Sequence, residues 1–233
     1  MKPRAAYSRL LASFGPQGWW PVTPPGEVRP VYHPGKDVRA AFEICVGAIL
    51  TQNTAWTNVV KALEAIHKAG AMSLGRLLRA PRRRLESWIR PSGYFVQKSL
   101  KLKAFSRFAA GLGRPLDAWL REEPLAEARA ALLAVWGVGP ETADSMLLYA
   151  GGRPVFVVDA YTRRIASRVG WTSASDGYDE VQAFFLRGLP RSARLYNESH
   201  ALLVELAKRC CLKRAPLCVS CPLREGCRYA RTR

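Results

Sequence analysis

The chain has 233 residues, 48% of them hydrophobic, enough for one large core or two smaller ones. Lys and Arg number 36 against 18 Asp and Glu, a net charge of +18 that points to a polyanionic partner such as nucleic acid. No apolar run approaches the roughly 20 residues of a membrane-crossing helix and the N-terminus lacks a signal-peptide core, so no membrane partner and a cytoplasmic location (cytosol or nucleoid) are expected.

Residues 1–15 read as a short helix carrying Tyr7, Leu10, Leu11 and Phe14, followed by GPQGWWPVTPP. Adjacent indoles cannot share one face of an element, so one of Trp19 and Trp20 is expected to pack inward while the other lines a surface or pocket. Residues 37–69 keep helical spacing on both sides of a polar break, Thr51-Gln52-Asn53-Thr54. Thr and Asn favour caps and turns, so one helix ends there and another begins. Cys45, alone in an apolar helix, reads as a core residue. Residues 73–113 continue as short helices, one beginning at Pro81 and another after Pro91-Ser92-Gly93. Lys98, Lys101, Lys103 and Arg107 are expected to form a basic face on the last of these. Residues 115–135 read as one further helix, rich in alanine and leucine. No run of β-alternation appears, so the fold is expected to be all-α.

The motifs cluster in the second half. Trp136-Gly137-Val138-Gly139-Pro140 breaks the helical pattern, its glycines allowing positive φ and Pro140 suiting the first turn of the next helix. Thr142 and the exposed amides at that helix start can hold a phosphate. Between two helices in so basic a chain, the element reads as a helix-hairpin-helix that grips the DNA backbone without reading sequence. Asp159 follows a short apolar run, Pro154–Val158, at an N-cap position. Arg163 and Arg164, just beyond it, are candidate phosphate contacts. Two more helices fill residues 177–209. Cys211, Cys218, Cys221 and Cys227 then stand in the spacing C-x6-C-x2-C-x5-C. Four thiolates in a short loop suit zinc or an iron–sulfur cube, and the donor set alone leaves both open. Cys210, next to them, reads as a bystander, and Lys213, Arg214, Arg224, Arg228 and Arg231 rim the loop.

GVGPETADSMLLYA, VVDAYTRR and the cysteine tail together resemble the endonuclease III superfamily of helix-hairpin-helix DNA glycosylases, over about residues 17–229. The resemblance implies two α-helical domains, placed at 36–150 and at 1–35 with 151–233. It also implies a [4Fe–4S] cluster on Cys211, Cys218, Cys221 and Cys227 within a loop at 205–229. The implied partner is damaged double-stranded DNA, with the lesion flipped out of the helix, and the implied state is a monomer. Asp159 matches the family's catalytic aspartate.

Glu141 departs from the bifunctional members, which carry there a lysine that forms a Schiff base. An acid cannot do that chemistry, so AP lyase activity is expected to be weak or absent, and Glu141 joins Asp159 among the candidate catalytic residues. GWWP, FEICVGAILTQNTAW and the acid before Thr-Ala resemble the 3-methyladenine DNA glycosylase III subgroup. That likeness assigns Trp19, Trp20, Pro21 and Trp56 to a base pocket and gives Gln52 or Asn53 the gap left by the flipped nucleotide. An indole pocket suits a cationic alkylated purine through cation–π attraction. Gly137, Val138, Gly139, Thr142, Arg163 and Arg164 are the expected DNA contacts. The rivals are a glycosylase/lyase for oxidised pyrimidines or abasic sites, and a non-catalytic binder of damaged DNA.

Overall fold

The structure, a computed structural model, describes residues 1–33, 36 and 39–232. Helices run through the chain as α1 (Pro3–Phe14), α2 (Ala41–Leu50), α3 (Trp56–Lys68), α4 (Leu74–Arg79), α5 (Arg82–Ile89), α6 (Phe95–Ala110) and α7 (Leu116–Glu122). They continue as α8 (Leu125–Leu133), α9 (Pro140–Ser145), α10 (Ala160–Val169), α11 (Tyr178–Gly188), α12 (Ala193–Arg209) and α13 (Arg228–Arg231). The all-α expectation holds: among the described residues the one β feature is an isolated bridge between Val22 and Val31. None of these helices is long and apolar enough to cross a membrane.

The chain divides into two compact units, Trp20–Arg153 and Met1–Trp19 with Pro154–Arg233. Trp20 onward thus falls in the unit of α2–α9 rather than with the chain ends, where the sequence reading placed residues up to 35. The reason is local. Trp20 meets Trp56 edge-on at 5.4 Å and Tyr149 at 5.0 Å, while Thr23 gives its N–H (2.9 Å) and hydroxyl (2.7 Å) to Glu43 Oε1 on α2.

In the 20–153 unit α2 is the central element, with Ile44, Cys45, Val46, Ile49 and Leu50 all 0% exposed. It packs on α3, α6, α7 and α9. Burial pushes the Cys45 thiol up, as befits a core residue. Residues 115–135 are not one helix, because Pro124 has no N–H to donate and disfavours helix in the residue before it; α7 ends and α8 begins there. After α9 the chain widens into a π-helical turn, Met146–Ala150, closed by Gly151 N–H to Met146 O at 3.0 Å and buried at every residue.

The expected basic face on α6 is not one. Lys98 is 2% exposed and donates to Leu50 O (2.8 Å) and Ser92 O (2.6 Å). Burial first, and Lys101 second, lower its pKa to about 8. Lys103 donates to the carbonyls of Leu77, Leu78 and Ala80 at the end of α4. Arg153 does the same for Leu120, Arg121 and Glu123 around the end of α7. The last carbonyls of a helix lack intrahelical partners and carry the negative end of its dipole, so long cations settle there. Part of the positive charge is therefore internal.

In the other unit α12 is the spine, with α1 and α10 packed on it. Its aromatic core stacks Phe156 on Phe185 at 4.3 Å, with Tyr196 edge-on to Phe156 at 5.8 Å. Asp159 caps α10, taking the Thr162 N–H at 2.7 Å, and Gly170 ends that helix with φ 90°. Trp171 Nε1 donates to Met1 O at 2.6 Å, which fastens the N-terminus to the far end of α10.

Candidate functional site

The hairpin between α8 and α9 is built as the sequence suggests. Gly137 has φ 85°, and Pro140 opens α9 behind Gly139. Arg129 on α8 reaches the fully buried Asp144 on α9 through Nε at 2.8 Å and a second nitrogen at 3.3 Å, clamping the two helices together. Val138 is buried against this corner.

The Lys101 stem lies under Gly137, so a Cβ there would stand 2.4 Å from Lys101 Cγ. Lys101 Nζ donates at 2.5 Å to Gln52 Oε1, and Gln52 Nε2 donates to Gly137 O (3.1 Å) and Thr142 Oγ1 (3.0 Å). Two expectations shift here. Gln52 fastens the hairpin, leaving Asn53, exposed and with φ 52°, as the residue at the tip of the turn. The Thr142 hydroxyl faces Gln52 from a site only 6% exposed, so it is turned inward, whereas Trp136 at the start of the hairpin is 56% exposed. Glu141 is exposed in the first turn of α9, where the helix dipole favours an acid.

Of the two adjacent indoles, Trp20 is the one that packs inward. Trp20 is 7% exposed and Pro21 is buried beside it. Trp20 Nε1 would lie 3.2 Å from a Cβ at position 47, which is why α2 carries a glycine there. Trp56, half-buried, completes this cluster within the 20–153 unit.

Trp19 belongs to the other unit, where it meets Asp159 through a residue the sequence reading passed over. His200 on α12 is 4% exposed, edge-on to Trp19 at 5.8 Å, with Nε2 3.7 Å from Asp159 Oδ2. Asn197 holds the Trp19 carbonyl at 2.9 Å and the Lys208 ammonium lies 6.0 Å from its ring centre. Asn197, His200 and Lys208 stand on a helix that also carries Arg194, Glu198, Glu205 and Arg209, so no signal in the sequence singles them out. Burial alone would push the Asp159 pKa up; the His200 imidazole and the Thr162 N–H outweigh it and hold the carboxyl below the usual carboxylate range.

Arg163 and Arg164 are anchored within their own unit. Arg163 donates to Asp176 O at 2.5 Å; Arg164 donates to Cys211 O at 3.0 Å and lies over the Tyr161 ring at 5.1 Å. One turn on, Arg168 donates to Cys211 Sγ (3.3 Å), Leu212 O and Lys213 O, and Cys227 Sγ donates to Arg168 O at 3.4 Å. The helix capped by Asp159 thus holds the cysteine loop at its other end.

Cys211, Cys218, Cys221 and Cys227 are free thiols. Burial pushes the Cys221 thiol up to about 11, and Cys210, Cys211 and Cys227 lie close enough to add to the shift. Among the described residues no three His, Cys, Asp or Glu side chains draw together as a cage for a metal ion. The donor set itself, four soft thiols, fits an iron–sulfur group.

Comparison with known proteins assigns the class. The family model of HhH-GPD superfamily base excision DNA repair proteins matches residues 46–191, more than half of the chain. The chain belongs to this family, in its endonuclease III superfamily, and is a DNA-binding enzyme, a base-excision DNA glycosylase. A Methanocaldococcus jannaschii protein named "Putative DNA repair glycosylase" is 39% identical over 95% of this chain and 93% of its own. Endonuclease III of Thermotoga maritima is 28% identical over 82% of this chain and 84% of its own. Among solved structures, the H. pylori 3-methyladenine DNA glycosylase bound to 1,N6-ethenoadenine matches with a TM-score of 0.71 and 27% identity, covering 90% of this chain and 98% of that one. An endonuclease III–DNA complex shares the fold, with a TM-score of 0.76 at 21% identity over 98% of this chain and 95% of that one.

Proposed function

We propose that this glycosylase is monofunctional and acts, as a monomer, on alkylated purines such as 3-methyladenine, everting the base from duplex DNA and hydrolysing its N-glycosidic bond. The observation that carries the reading is the line Trp19–His200–Asp159 within one unit, an indole joined to a low-pKa carboxylate through a single imidazole. An N3-alkylated adenine is cationic, so it stacks on an indole by cation–π attraction and leaves with little acid assistance. What its departure needs is a stable anion beside the sugar as positive charge develops there. A carboxyl held below its usual range is such an anion and a weak base, so Asp159 acts by electrostatic stabilisation and by orienting the attacking water. The likeness to the H. pylori enzyme supports the substrate class.

Glu141 supports the monofunctional reading, because a carboxylate cannot form the Schiff base that strand cleavage requires. Trp20, Pro21 and Trp56, an aromatic cluster within the 20–153 unit, are the further base-pocket candidates, and Asn53 enters the gap the base leaves. Gly137, Val138 and Gly139 grip a phosphate through their amides, with Arg163 and Arg164 near the strand. Cys211, Cys218, Cys221 and Cys227 would hold a [4Fe–4S] cluster, which when bound supplies a rigid cross-link for the basic loop.

The test is a single-turnover assay on duplexes carrying 3-methyladenine, thymine glycol or an abasic site, each read with and without alkali. Alkali-dependent breaks at the methylated base alone are expected. Nicking at thymine glycol or abasic sites without alkali would overturn the monofunctional reading.

A further inference from the structure

Two non-glycine residues with positive φ stand out among the described residues, Asn53 (52°) and Tyr94 (45°). Both are exposed, Tyr94 to 71%. They lie on different turns. Asn53 tops the turn that leaves α2 at Leu50, and Tyr94 follows the short 3-10 turn Arg90–Ser92 that leads into α6. Strained backbone of this kind persists only where the surroundings over-determine it.

What they share is Lys98. Its Nζ donates at 2.8 Å to Leu50 O, three residues before Asn53, and at 2.6 Å to Ser92 O, two residues before Tyr94. Ser92 is itself fully buried and tied to Ile89 O at 2.7 Å, so the second turn is a fixed abutment. The ammonium also sits at the negative end of α2, where a cation is favoured. A core filler would need no charge, and burying one is costly unless its protons are satisfied by hydrogen bonds.

We infer that Lys98 is a positioning residue for base eversion: its buried ammonium ties the Asn53 turn to the Tyr94 turn and so holds Asn53 out toward the duplex. The inference rests on the reading that Asn53 fills the gap left by the everted base. It predicts that Lys98 matters only when a base must be taken out of a stacked pair.

The experiment compares wild type, Asn53→Ala, Lys98→Met and their double variant on two duplexes, one with 3-methyladenine opposite thymine and one with the same lesion opposite an abasic site. On the paired lesion, Lys98→Met and Asn53→Ala should each slow base release by about tenfold, because unstacking is then the barrier. On the unpaired lesion both should approach wild type, and the double variant should be no worse than either single one. Lys98→Met slowing both duplexes equally, or neither, overturns the inference. Lys98→Gln, which keeps an N–H donor group but loses the charge, should fall between Met and Lys and serves if the Met variant does not fold. If the wild type releases no methylated base from either duplex, the substrate reading fails. Fluorescence of a 2-aminopurine at the target position then decides on Lys98: loss of the signal in Lys98→Met with unchanged affinity for plain duplex supports it, and an unchanged signal overturns it.

Discussion

Asp159 stays ionised because three groups converge on it: the Thr162 N–H at 2.7 Å, the His200 imidazole at 3.7 Å, and the dipole of the helix it caps. Its pKa is lower folded than unfolded. The stability it contributes is therefore full above the ordinary aspartate range and lost as pH falls through the lower folded value. Base release should accordingly persist down to about pH 4, a profile read by single-turnover rates in overlapping buffers. Asp159→Asn should lower base release by about 10²–10³-fold while duplex affinity stays within a few-fold. His200→Gln should shift the acid limb of that profile upward, toward the ordinary aspartate range, by removing one of the stabilising partners; an unmoved limb would assign the low pKa to Thr162 and the cap alone. Trp19→Ala should weaken the response to cationic purines most, seen as a larger loss on 3-methyladenine than on the neutral 1,N6-ethenoadenine.

At the scale of elements, the hairpin is held from behind. Lys101, Gln52, Gly137 and Thr142 form one hydrogen-bonded run, so the loop's shape is set by a neighbouring turn and by α6 as well as by its own glycines. Gly137→Ala meets both a φ of 85° and the Lys101 stem. It should cost about 1–3 kcal/mol in urea unfolding and weaken binding to undamaged duplex. Much of this architecture was legible beforehand. Asp159 at an N-cap, Pro140 at a helix start and the break at Thr51–Thr54 follow from local chemistry, because caps and first turns depend on neighbours a few residues away. The misses are of another kind. Lys98 and Lys103 looked like surface cations because lysine is rarely buried, and their carbonyl partners lie far off in the chain. His200 went unseen for the same reason, since a histidine on a helix with other polar residues announces nothing until Trp19 and Asp159 are beside it. The break between α7 and α8 was legible in Pro124 and was overridden by an even run of alanine and leucine.

For the whole molecule, the net charge of +18 should make duplex binding steeply salt-dependent. A protein neutralising about six phosphates loses roughly 10³-fold in affinity between about 50 and 200 mM salt. Lys98, Lys103 and Arg153 are occupied internally, so substituting them should not change that slope. The cysteine loop is bonded to α10 through Arg164 and Arg168, within the unit that carries Asp159. On the proposed cluster, Cys218→Ser should therefore reduce iron content and loosen amide protection along α10 and α12, leaving α2–α9 at wild-type protection in hydrogen exchange. Equal loosening of both units would show that the cross-link is global.

The unit of residues 20–153 is an uninterrupted stretch, whereas its companion is assembled from the first 19 residues and from 154 onward. On the ribosome α1 emerges long before the helix it packs against, α12, which begins at Ala193. At about 5–20 residues per second, α1 waits about 10–40 s with its apolar side uncovered. During that interval the hairpin unit is already complete. A chain stalled at this point would carry the finished hairpin without the unit that holds Asp159; on the roles proposed above, it would occupy a duplex and release no base from it.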